Sequence, residues 1–189
     1  RLRNISKTFP GVRALSHIDF DLYPGEIHCI CGENGAGKST LIKIISGAYQ
    51  PDAGGTIEFE GKTCSLTPHS AMELGIQTIY QEHTVFPHLT VTENIFAGLE
   101  IARGGMINRR EMRAKTEEVL AYLRCDFSPD DNVGQLPSGQ KKMVEIAKAL
   151  VFQRKIVILD EPTASFSVSE IDMLLDVVKK VASTGLAVV

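Results

Sequence analysis

The sequence predicts an α/β fold: a mostly parallel core sheet, an antiparallel β part and a helical insert that interrupts the core. Ile156-Val157-Ile158-Leu159 is a short apolar run bounded by charge, the pattern of a strand buried on both faces of a parallel sheet. Ile18, Phe20 and Leu22 alternate with Asp19 and Asp21, and Thr56 to Gly61 alternates again before its glycine. That period of two belongs to half-buried antiparallel strands. Between Thr92 and Leu150 the apolar spacing turns helical, which marks the insert.

Taken in order, Arg1-Leu2-Arg3-Asn4-Ile5 reads as the middle of a strand, and Tyr23-Pro24-Gly25-Glu26 as a turn. Ile27-His28-Cys29-Ile30-Cys31 follows as a short strand, with both cysteines on one face as small apolar residues. Leu41, Ile42, Ile44 and Ile45 pack a helix that ends near Gly47, and Gly75 to Tyr80 is another strand. In the insert, Met112, Val119, Leu120 and Leu123 line a helix from Arg109 to Arg124. Met143, Ile146, Ala147 and Leu150 line the next, and Ile171, Leu174, Leu175 and Val178 mark a last amphipathic helix. The division expected is residues 1–90 and 154–189 for the core and 91–153 for the insert. Gly185 to Val189 reads as the start of a buried strand, so a fragment of a longer protein, truncated at both ends, is expected.

A chain of 189 residues can bury a real core, and 43% hydrophobic with 23% charged residues belongs to a globular protein. The net charge of −3 offers no broad basic field, so nothing asks for nucleic acid. Cys29, Cys31, Cys64 and Cys125 have no CxxC spacing of a metal or redox site. No apolar run approaches the about 20 residues of a membrane span, and no signal peptide opens the chain. The expectation is a soluble, cytoplasmic protein that serves a membrane only by docking to a separate subunit.

Gly32-Glu33-Asn34-Gly35-Ala36-Gly37-Lys38-Ser39 fits G-x-x-x-x-G-K-[ST] between a predicted strand and a predicted helix. Its glycines let backbone N–H groups turn inward around phosphate oxygens, and the helix start adds a positive dipole end. In such a P-loop Lys38 neutralises the outer phosphates and Ser39 offers a hydroxyl to Mg²⁺. Asp160 and Glu161 follow the strand Ile156–Leu159, where parallel sheets present ligand-contacting groups. Asp160 can hold Mg²⁺, and Glu161 can polarise an attacking water. The alternative is a plain acidic helix N-terminus. Gln81, just past the strand ending at Tyr80, can complete the shell around metal and water.

Leu136-Pro137-Ser138-Gly139-Gln140, followed by Lys141 to Leu150, resembles the signature motif of ABC ATPases. The order Phe9, Gly32–Thr40, Gln81, signature, Asp160-Glu161-Pro162-Thr163 is that family's order, and the resemblance covers nearly the whole chain. Ser6 to Leu15, the Gly-Glu-Asn-Gly-Ala-Gly-Lys loop and Met143 to Lys148 narrow it. They resemble the N-terminal ATPase half of bacterial monosaccharide importers. The resemblance implies ATP and Mg²⁺, a second ATPase half, permease subunits and a periplasmic solute-binding protein. It implies residence at the cytoplasmic face of the inner membrane, through the permease. It also implies that Phe9 stacks on adenine, with a core phenylalanine as the alternative, and that Glu82 to Leu89 contacts the permease.

In the same picture the signature closes on ATP held by the opposite half. Here it departs from the family, with Pro137 and Ser138 where a serine and a small or apolar residue are usual. Pro137 is therefore expected to weaken that opposite site, with Ser138 supplying a displaced hydroxyl and capping its helix. Ala164-Ser165-Phe166-Ser167 lacks an aspartate that many relatives show. None of His17, His28, His69, His83 or His88 stands where the family's switch histidine belongs. A soluble ABC ATPase without a permease, a nucleoside importer and a nucleotide-dependent binding module remain the alternatives.

Overall fold

A computed structural model describes residues 1–80, 84–162 and 168–189, the last segment without side chains at 168–170. The chain divides into two compact units, one of residues 1–78, 155–160 and 182–189, the other of 79–154 and 161–181. The second thus includes 79–90, 154 and 161–181, which the sequence grouped with the core.

In the first unit, β1 (Leu2–Phe9) and β2 (Val12–Phe20) form an antiparallel hairpin whose register starts at Phe9 opposite Val12. The predicted alternation at Ile18 and Phe20 is the far end of β2, which reaches back to Val12 and stops short of Leu22. β3 (Thr56–Phe59) and β4 (Lys62–Cys64) extend the sheet in the order β2-β1-β3-β4. Glu60 and Gly61 between them both have positive φ, 49° and 79°, the left-handed pair a tight hairpin turn requires. Helix α1 (Lys38–Ile45) ends where Gly47 takes φ 76°. It buries Leu41, Ile42, Ile44 and Ile45 among Leu2, Ile5, Leu15, Ile57 and Ile158. The single-turn α2 (Pro68–Glu73), boxed by Thr67 and Ser70, leads into β5 (Ile76–Ile79).

The second sheet has the order β5-β8-β9, with β8 (Ile156–Leu159) as its middle strand and parallel to β9 (Ala187–Val188). Val157 and Ile158 are buried, as the continuous apolar run predicts. The strand expected at Ile27–Cys31 shrinks to one parallel bridge, Ile27 to Val188. Val188 N donates to Glu26 O and His28 N donates to Val188 O. Cys29 and Cys31 do share a side, their sulfurs 3.5 Å apart, but both are exposed rather than packed as small apolar residues.

The second unit packs α3 (Val91–Phe96), α4 (Arg109–Leu123) and α5 (Ser138–Val151) against one another. Val91, Ile95, Phe96, Met112, Val119, Leu120, Met143, Val144, Ile146 and Ala147 are buried. Thr90 and Glu93 box the start of α3, and Asn108 caps α4. Asn94 is a local hub: its Nδ2 donates to the carbonyls of Phe86, Leu89 and Thr90, and its Oδ1 accepts from Phe86 N. The insert is not all helix, because β6 (Ala102–Arg103) and β7 (Met106–Ile107) make a small hairpin around Gly104 and Gly105. Helix α6 (Val168–Ala182) buries Leu174, Val177, Val178 and Val181, whereas Leu175, expected on its apolar face, is exposed.

Candidate nucleotide-binding site

The loop from Gly32 to Gly37 is shaped by two left-handed glycines, Gly35 at φ 85° and Gly37 at φ 90°. Gly37 also lies against β2, where an added Cβ would stand 2.4 Å from Ala14 O and 2.8 Å from Leu15 Cδ2. A Cβ on Gly35 meets nothing, so that glycine answers to backbone conformation alone. The loop closes on itself: Ala36 N donates to Glu33 O at 3.1 Å. Lys38 Nζ donates to Gly32 O at 2.8 Å and to Glu33 O at 3.0 Å. The lysine therefore folds back over the ring of backbone that it follows.

Gly37 is the N-cap of α1, and no side chain caps that end. Its first turn holds no acidic residue. An uncapped helix start under a glycine ring, with an ammonium across it, attracts an anion with several oxygens. Glu33, Asn34, Ala36 and Ser39 are exposed, and Lys38 and Thr40 half-buried, so the cradle faces solvent.

Asp160 belongs to the same unit, at the C-terminal end of the middle strand β8. Leu159 N, one residue earlier, donates to Val189 O and fixes the strand end. Among the described residues no group of three or more His, Cys, Asp or Glu side chains gathers to hold a metal. One carboxylate and one hydroxyl, Asp160 and Ser39, suit Mg²⁺, which keeps few protein ligands and completes its octahedron with phosphates and water.

Phe9 stands half-buried at the end of β1, outside the core. Its ring meets Tyr49 edge-on, centroids 5.4 Å apart, and Lys7 Nζ lies 5.7 Å from its centre. Glu161, exposed and at φ 46°, belongs to the second unit. A non-glycine residue held there costs about 1–3 kcal/mol, a strain that clusters at functional positions. Gln81 lies outside the described residues, as do Glu82, His83 and Thr163 to Ser167.

The signature segment also lies in the second unit. Leu136 and Gly139 are buried, and Gln140 Nε2 donates to Asp126 Oδ1 at 2.9 Å. Pro137 is the N-cap of α5, and no side chain caps the helix. Ser138, expected as a possible cap, is instead the first helical residue, one position too late for the role.

A family profile described as ABC transporter matches residues 15–164, which span the P-loop, the signature and Asp160-Glu161. The chain belongs to the ABC transporter family. Over its whole length it is 46% identical to the ribose import ATP-binding protein RbsA 1 of Burkholderia ambifaria. It is 45% identical to a putative ribose/galactose/methyl galactoside import ATP-binding protein of Agrobacterium fabrum. The chain spans 37% of the length of both relatives. Among solved structures, the ADP conformation of MJ1267, an ATP-binding cassette of an ABC transporter, matches with a TM-score of 0.84 at 29% identity. That match covers 98% of this chain and 77% of the other. CbiO1 of Clostridium perfringens, part of the ABC transporter complex cbiONQ, matches at 0.82 with 26% identity, over 99% and 75% of the two chains. The α/β cassette with a helical insert, read from the sequence, is therefore the fold of this family.

Sequence reasoning missed a buried ion pair in the second unit. Lys142 and Glu145 were read only as part of a family phrase, yet they are 2% and 5% exposed. The signal available was their spacing, i and i+3, amid the apolar positions Met143, Val144 and Ile146 of an amphipathic helix.

Proposed function

We propose that this chain is the nucleotide-binding part of an ATPase that powers import of a monosaccharide or related small solute through a membrane permease. The observation that carries the reading is the Gly32–Thr40 cradle, with Lys38 turned onto its own loop and α1 left uncapped behind it. Full-length similarity to sugar-import ATP-binding proteins gives the transport context.

In this reading the loop amides and the start of α1 bind the phosphates, and Lys38 exchanges its two carbonyl partners for phosphate oxygens. That exchange leaves the ammonium hydrogen-bonded throughout, so binding carries no large desolvation penalty. Ser39, Asp160 and Gln81 would hold Mg²⁺, which draws charge from the leaving phosphate oxygens when bound. Glu161 accepts the proton of the attacking water. Phe9 supplies a ring face to the base. The signature Leu136–Gln140 serves nucleotide on a second ATPase half, either in the same polypeptide or on a dimer mate. Permease subunits and a periplasmic solute-binding protein complete the assembly at the cytoplasmic face of the membrane. No helix among the described residues is long and apolar enough to cross a membrane.

Titration calorimetry with MgATP and MgADP tests the site. The protein is expected to bind both, and Lys38→Ala to lose at least about 2 kcal/mol, the scale of a charge-assisted contact. Equal affinity in Lys38→Ala would overturn the assignment.

A further inference from the structure

We propose that Lys142 and Glu145 are positioning residues for ATP hydrolysis, a buried ion pair on α5 that pins Tyr80 and Thr84, the two residues bracketing 81–83. The proposal rests on the ATPase reading above. Lys142 Nζ lies 3.0 Å from Glu145 Oε2, and the pair is almost wholly buried. Lys142 Nζ also donates to Tyr80 O at 2.6 Å, just beyond the end of β5. Glu145 Oε1 accepts from Thr84 N at 2.8 Å and from Thr84 Oγ1 at 2.6 Å.

Stability alone does not call for such a pair. Two charges removed from water lose solvation that their attraction only partly returns, and apolar residues of similar volume often do as well. Positions 142 and 145 flank Met143 and Val144, and the other buried residues of the helix are Gly139, Ile146, Ala147 and Ala149. What methionine and leucine would not supply is direction. The ammonium holds a carbonyl on one side of residues 81–83, and the carboxylate holds an amide and a hydroxyl on the other. Both anchors come from one helix face within a turn of each other, so the separation of Tyr80 and Thr84 is set by the rigid spacing of α5.

The same helix begins at Ser138, four residues before Lys142. Ser138 to Gln140 of the signature and the anchors of Tyr80 and Thr84 therefore stand on one helix. Positioning and electrostatics supply most of the acceleration in phosphoryl transfer, and a small misplacement is costly in rate. A bracket that is loosened should lower kcat while leaving the affinity for nucleotide intact.

The test uses full-length protein and two variants. The double variant Lys142→Met with Glu145→Leu removes both charges and fills their volume, and Thr84→Val removes one hydroxyl while keeping the pair. Thermal unfolding, KM and kcat for ATP, and hydrogen exchange of the Thr84 amide are measured on each. We expect the double variant to unfold near the parent temperature. Its KM for ATP should stay within about twofold and its kcat should fall about tenfold or more. Its Thr84 amide should exchange at least about tenfold faster than in the parent protein. Thr84→Val should lower kcat about threefold at unchanged KM.

A parent protein whose Thr84 amide exchanges freely would overturn the tether itself. A folded double variant with parental kcat would overturn its role in turnover. If the double variant does not fold, Thr84→Val decides, and parental kcat there overturns the proposal. A parent protein that binds no nucleotide would instead defeat the ATPase reading, and its amide exchange would still report the bracket.

Discussion

Replacing Gly37 and Gly35 separately by alanine divides the strain of the phosphate loop into its two sources. Both glycines are left-handed, at φ 90° and 85°, so each substitution carries the Cβ-to-carbonyl penalty of about 1–2 kcal/mol. Gly35→Ala adds nothing more, because its Cβ would meet open space. Gly37→Ala drives a methyl to 2.4 Å from Ala14 O and 2.8 Å from Leu15 Cδ2, and both neighbours belong to β2, which cannot retreat without straining its pairing to β1. Overpacking of that kind adds about 1–3 kcal/mol. The expected losses are thus about 1–2 kcal/mol for Gly35→Ala and about 2–5 kcal/mol for Gly37→Ala. In a chain of this size each kcal/mol moves the unfolding temperature by about 2–4 °C. Thermal unfolding followed by circular dichroism, with and without saturating MgADP, reads both numbers. The nucleotide should raise the parent's midpoint and do little for Gly37→Ala, whose loop has been displaced. Equal unfolding temperatures for the two variants would refute the close approach of Gly37 to β2, and with it the account of how the cradle is held.

Glu161→Gln in the full-length protein should retain nucleotide binding and lose turnover by at least about a hundredfold, since the amide keeps the shape but accepts no proton. Calorimetry beside a phosphate-release assay checks both halves, and parental turnover would reassign the base. Phe9→Ala should weaken ATP by about 1–3 kcal/mol at unchanged maximal rate, with GTP affected alike because any purine offers a ring face. Unchanged affinity would leave Phe9 its contacts with Tyr49 and Lys7 alone. Pro137→Ser gives α5 the side-chain cap it lacks and should stabilise the protein by about 0.5–1 kcal/mol in denaturant unfolding. If Pro137 weakens a second site, total turnover rises about twofold in the same variant. Unchanged turnover would end the argument for unequal sites.

The elements legible in the sequence were those whose signal is local. Ile156–Leu159 carries its burial in four consecutive side chains, and the P-loop carries its shape in the spacing of its glycines. The strand expected at Ile27–Cys31 depended on a neighbour instead, and Ile27 alone of those five residues bridges to it, at Val188. The hairpin at Ala102–Ile107 was visible in principle, since Gly104 and Gly105 have φ 60° and 81°, as a two-residue turn demands. A helical trend over the surrounding residues hid it. Leu175 shows the limit of periodicity: spacing defines an apolar stripe, but packing decides which of its margins stays wet. Lys142 and Glu145 were least legible, because charged residues on a helix read as a solvent face. Their partners Tyr80 and Thr84 lie some sixty residues away, beyond any local pattern.

The carboxamide of Asn94 has a consequence for molecular recognition. Four hydrogen bonds from one buried side chain fix the turn from Phe86 to Thr90, so the backbone there has already surrendered its freedom before anything touches it. Phe86 rides on that turn with 55% of its surface in water. A ligand that covers the ring gains the burial of an aromatic side chain without first having to order the loop, whose entropy was spent when the chain folded. Aspartate at position 94 would set a carboxylate against three carbonyl oxygens, and the turn would carry the same ring on a loosened backbone that a ligand must first order.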